Sequence, residues 1–128
     1  MNTNNPNENP VASASSSRNN PCYEIDSNTA ALKVFANEKS YLLTYAQFLY
    51  TERRPNPALE QGPDAPPEEI RVCFTFAEVV IRGSGLRRLE AMIHQYELKS
   101  VKAADLRLAN SLNPHVVSVT LTFTKENL

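Results

Sequence analysis

"EEIRVCFTFAEVVIRGSGLRRLEAMI", residues 68 to 93, carries two periodicities in succession. In its first half Ile70, Val72, Phe74 and Phe76 alternate with Arg71, Cys73, Thr75 and Ala77, the period of two that marks a strand with one buried face. Val79, Val80 and Ile81 form a second apolar run after Glu78. The two runs read as a hairpin turning near Ala77 and Glu78 or, because that pair is poor chemistry for a primed turn, as one long bulged strand. From Leu86 the period changes. Leu86, Leu89, Ile93 and Tyr96 recur at three and four residues, while Arg87, Glu90, His94 and Glu97 fall on the opposite side. The spacing predicts an amphipathic helix over about 85–97, with Ser84 as the N-cap whose hydroxyl accepts from a first-turn amide.

C-terminal to this block, Asn113 and Pro114 mark a break, and "HVVSVTLTFT" (115–124) alternates Val117, Val119, Leu121 and Phe123 with Ser118, Thr120, Thr122 and Thr124. That is a half-buried strand with one polar face. Before the break, "KSVKA" (99–103) reads as a short strand and "ADLRLAN" (104–110) as a helical turn or an extended piece. On the N-terminal side "ALKVFANEKSYLLTY" (31–45) reads as two short strands around a polar turn at Asn37, Glu38 and Lys39. Tyr41, Tyr45, Phe48 and Glu52 then follow a helical spacing, and the aromatic content equally suits a strand; a strand running into a helical turn is the working expectation there. Residues 55–67, "PNPALEQGPDAPP", hold five of the nine prolines and form a loop, since missing donors and fixed φ angles exclude both helix and sheet interior.

These elements imply an α+β domain: a small antiparallel or mixed sheet with the helix on one face, and a second face lined by Thr, Ser and Arg. The domain occupies residues 22–128. Residues 1–21 contain seven Asn, four Ser and three Pro. A segment so poor in apolar surface cannot offset the entropy of ordering, and a disordered tail is expected.

Composition narrows the function classes. The formal charge is −1 from 13 basic and 14 acidic side chains, which argues against a surface built as a whole for nucleic acid or anionic membrane. Between residues 82 and 107, however, Arg82, Arg87, Arg88, Lys99, Lys102 and Arg107 outnumber Glu90, Glu97 and Asp105. No run approaches eighteen apolar residues, so no transmembrane span is expected. The tail has neither a secretory nor a transit pattern, and Cys22 and Cys73 are too few for a disulfide framework; the expected setting is the cytoplasm.

Three groups of residues bear on function. At the strand-to-helix corner, Arg82, Gly83, Ser84, Gly85, Arg87 and Arg88 combine free first-turn amides, the positive end of a helix and guanidinium groups, the elements of an anion or nucleotide site. The plainer reading is a capped corner with solvated arginines. Gly83-Ser84-Gly85 resembles the first half of the dinucleotide-binding fingerprint, with Asp105 twenty residues beyond Gly85 where that motif places its ribose acid. Arg88 stands at the third-glycine position, and the chain has no room for the repeated parallel units of that fold, so the likeness ends there.

The second group is Tyr41, Tyr45, Phe48 and Tyr50 with Arg53 and Arg54. It reads as core, as an interaction surface, or as a stacking platform for single-stranded nucleic acid. The third is Cys73 with His94 and His115, whose unrelated spacings give no reason to expect a catalytic pair or a metal site. The expectation is a non-enzymatic binding or protein-interaction domain without cofactor. Its expected partner is a protein or a second copy of the chain, with self-association through an edge strand such as 116–124 as one route. A phosphate-bearing small ligand at the corner is the alternative.

Overall fold

The architecture starts from hairpins. Strands β2 (Ala31–Ala36) and β3 (Lys39–Thr44) pair antiparallel in full register. Asn37 and Glu38 between them both take positive φ, 55° and 63°, as a two-residue type I′ turn requires. Thr44 caps a single 3-10 turn (Tyr45–Gln47), its hydroxyl accepting from the Ala46 amide, and the chain re-extends as β4 (Phe48–Pro55). Strands β5 (Glu68–Phe74) and β6 (Ala77–Ser84) form the second hairpin, which turns at Thr75 and Phe76, two residues earlier than the expected Ala77 and Glu78. The computed structural model describes residues 20–58, 65–104 and 112–124.

Helix α1 (Leu86–His94) leads through β7 (Leu98–Val101) to the last strand, β8 (His115–Phe123). A short strand, β1 (Tyr23–Ile25), opens the described chain. One sheet has the order β1-β7-β2-β3, with β2 and β7 parallel; the other has the order β4-β5-β6-β8 and is antiparallel throughout. We call these sheet A and sheet B.

This corrects the expected fold class. Strands make up 55% of the described residues and helix 15%, in two sheets with one α-helix, so the fold is mostly β rather than α+β with a helix on one small sheet. The misreading has a physical source. The helical spacing of Tyr41, Tyr45, Phe48 and Glu52 straddles a strand, a 3-10 turn and a second strand. Strands β1 and β7, at three and four residues, are too short to display any period.

Both sheets bury one face in a common core. Leu32, Val34 and Leu43 come from sheet A, Ile70, Val72, Val79 and Ile81 from sheet B, and Leu86, Leu89 and Ile93 from the helix. Helix α1 packs against β4 and β5 of sheet B and β7 of sheet A, and so covers part of the core from both sheets. The N-cap is Gly85 at φ 67°, not Ser84, which is the last residue of β6; the helix stops at His94, short of the expected 97, and Tyr96 turns the chain at φ 58°. Residues 1–19 of the expected tail, 59–64 of the proline-rich loop, and 105–110, which include Asp105 and Arg107, lie outside the described residues.

Candidate functional site

At the strand-to-helix corner the residues singled out from the sequence diverge. Gly83 is buried in β6, and a Cβ there would run into the His115 carbonyl and the Val116 Cα on β8. A side chain on Gly85 would meet Asn113 and would also have to adopt a left-handed backbone. Both glycines therefore serve close chain approach. The first-turn amide of Leu86 donates to Glu68 Oε1 at 2.9 Å, so a carboxylate of the protein already stands at the helix N-terminus. An outside anion would have to displace it. Arg82 points to the outer face of sheet B and bonds Glu69 at 2.9 Å. Arg87 and Arg88 are exposed on the first turn and form no ion pair among the described residues.

The aromatic group is dispersed as well. Tyr45 is buried, and its hydroxyl donates to the Leu98 carbonyl at 2.6 Å; burial pushes its phenol well above the ordinary range. Tyr41 packs edge-on against Phe123 with ring centroids 5.7 Å apart, and Phe48 packs edge-on against Phe74 at 5.8 Å. The Tyr41–Phe123 pair joins the two sheets and the Phe48–Phe74 pair lies within sheet B, while Tyr50 is exposed; one open ring is not a succession of stacking surfaces. Arg53 bonds Glu90 at 3.0 Å and Arg54 bonds Glu69 at 2.8 Å, so both members of the basic pair are engaged.

Glu69 holds two arginines at once and is itself buried beneath them. Burial acts to raise its pKa, but the hydrogen bonds and charges of Arg54 and Arg82 outweigh that and hold it below the usual carboxylate value. It anchors an ordered outer face on sheet B, where Arg71 likewise bridges Glu52 and Glu78.

The arrangement nearest to a catalytic constellation lies between β4 and α1. Thr51 Oγ1 is 2.8 Å from Glu90 Oε2 and 2.9 Å from His94 Nε2. Glu90 is held below the ordinary carboxylate range: burial opposes ionisation, and the Thr51 hydroxyl, Arg53 and His94 together overcome it. An ionised Glu90 can only accept, so the single hydroxyl proton of Thr51 is directed to Glu90 and the hydroxyl oxygen accepts from His94 Nε2–H. In that state His94 has no lone pair facing the hydroxyl and cannot act as its base. The cluster latches the helix to the edge of sheet B. Among the described residues no three His, Cys, Asp or Glu side chains converge as a metal site would require. Nor, among them, is any helix long and apolar enough to cross a membrane.

What the sequence reading missed is the outer face of sheet A. The strict alternation of β2 and the β2–β3 register place Lys33 and Phe35 on one side with Leu42 opposite Lys33, all turned away from the core. Phe35 is 38% exposed and Leu42 is 70% exposed. The Lys33 and Lys102 ammonium groups lie 5.4 Å and 5.8 Å from the centre of the Phe35 ring. A recess of about 780 Å³ borders Lys33, Phe35, Lys99 and Lys102, and a second of about 750 Å³ begins on the other side of Phe35. The signal was present in "LKVFA", where a lysine and a phenylalanine share the face opposite Leu32 and Val34. It could not be used without knowing that this face has no covering layer.

Comparison of the chain with protein-family models, with curated proteins and with solved structures returns no match to any of the three.

Proposed function

We propose that this domain is a non-enzymatic binding module that engages a protein partner, or a second copy of itself, through the outer face of sheet A. One observation carries the reading: Phe35 and Leu42 stand exposed together on a strand pair whose β3 side is a sheet edge, with Lys33 and Lys102 around the ring. Large apolar side chains grouped on a sheet face and rimmed by charge are characteristic of interaction surfaces. The internal engagement of Thr51, Glu90, Arg53, Arg54 and Arg82 supports a binding role over a catalytic one. Self-association through the edge strand β8 is one form this binding can take. A cytoplasmic setting belongs to the same proposal, and the free thiols of Cys22 and Cys73 suit it.

Site-specific photo-crosslinking tests the reading. A photoreactive residue in place of Leu42 is expected to give a discrete crosslinked species in cells, whereas the same residue in place of Val80, on the outer face of the central strand β6 of sheet B, gives none. Equal yields from both positions, or none from either, would refute it.

A further inference from the structure

We propose that the outer face of sheet A takes an extended, acidic peptide segment of its partner, an inference that rests on the binding role proposed above. The two recesses adjoin at Phe35 and Lys102, which border both, and together they make up one tract of surface. One end borders the edge strand β1 at Tyr23–Ile25, and the other borders the edge strand β8 at residues 117–119. Edge strands present unpaired amides and carbonyls, which an extended peptide can satisfy and a compact ligand cannot.

The charge along the tract selects the sign of the occupant. Lys33, Lys39, Lys99 and Lys102 line it, and none of them forms an ion pair among the described residues. The arginines Arg53, Arg54, Arg71 and Arg82, by contrast, are each bound to a carboxylate. In a chain of net charge −1, this face is where unneutralised lysines gather around an exposed apolar ring. Carboxylates over the lysines and an apolar side chain over Phe35 would complement it.

A nucleic-acid strand fits the same tract less well. Glu24 and Glu38 also line it and would repel a continuous phosphate backbone, whereas a peptide can place its carboxylates selectively. Among the described lining residues Phe35 is the one exposed ring, with Tyr23 buried, and none is an arginine that could grip phosphate in bidentate fashion.

The test is fluorescence anisotropy with three labelled probes: a decapeptide alternating Glu and Val, its Lys and Val counterpart, and a ten-nucleotide oligo-dT. The acidic peptide is expected to bind with a Kd on the order of 100 μM or better and to weaken severalfold between low and moderate salt. Paired Lys33→Glu and Lys102→Glu changes, both at exposed positions, should reduce its affinity about tenfold or more. Phe35→Ser should weaken binding while preserving the salt dependence. Equal binding of the basic peptide, no binding of the acidic peptide below about 1 mM, or tighter binding of oligo-dT would overturn the inference. If such a result accompanies a robust crosslink from position 42, the protein-binding role survives and the acidic specificity alone fails; loss of both removes both.

Discussion

Replacing Gly83 with alanine separates a glycine that serves packing from one that serves a ligand. The added methyl would meet the carbonyl oxygen and carbon of His115 and the Cα of Val116, all main-chain atoms of β8. Main chain cannot rotate aside as a side chain can, and the β6–β8 register already shifts between Arg82 and Gly83. The strands must therefore part locally, in a core where Ile81, Val116 and Leu86 have no accessible surface. Overpacking of this kind costs about 1–3 kcal/mol, and with a rigid obstruction the upper half of that range is expected. Gly85→Ala provides the internal comparison. Its methyl meets the Asn113 side chain, which can move, so the main cost is the left-handed backbone, about 1–2 kcal/mol. Urea unfolding followed by circular dichroism measures both, and an unchanged slope licenses the comparison. A Gly83→Ala midpoint indistinguishable from wild type, together with an altered response to phosphate, would refute the packing account of the corner.

Other consequences of the structure can be checked separately. Glu69→Gln removes the shared partner of two half-exposed arginines and should destabilise the fold by about 1–2 kcal/mol in denaturant titration. Because the folded pKa of Glu69 lies below its ordinary value of 4.5, its contribution is fully present above that value and is lost as pH falls through the lower folded pKa; the Gln variant should show a shallower acid limb. Thr51→Val takes away the hydroxyl between Glu90 and His94, should cost about 1 kcal/mol, and should raise the Glu90 pKa as read by carboxyl carbon shifts. Native thiol titration should label half-exposed Cys73 and spare Cys22, whose thiol is buried and pushed up by that burial against the weaker opposing effects of the Val116 N–H, which donates to its sulfur, and of Lys102.

The parts of the fold visible in the sequence were those with enough residues to show a period. The alternation through Ile70, Val72 and Phe74, the helix stripe of Leu86, Leu89 and Ile93, and the final strand each run long enough for one face to declare itself. The number of sheets was not visible, because it depends on which strands pair. Strand β7 joins β1 and β2 from more than sixty residues away, through the parallel register of Lys33 with Ser100 and Val34 with Val101. Nothing local in "LKSV" encodes that.

The functional residues show the same division. Arginines and aromatics drew attention by type, yet the partners that absorb them, Glu69, Glu90, Leu98 and Phe123, lie 13 to 82 residues away in sequence. Lys33 and Phe35 stand two apart on a short strand, and nothing in that spacing marks them as part of a surface. They become a surface only when Lys102 arrives beside them on the far side of the chain.

The most direct test of the account is an amide shift map of the ¹⁵N-labelled chain, recorded during titration with the Glu/Val decapeptide and, in parallel, with inorganic phosphate. The peptide is expected to move amides at residues 33–42 and 99–102, and phosphate is expected to leave 82–88 in place. Shifts confined to 82–88 or to 45–54, with the outer face of sheet A unmoved, would contradict it.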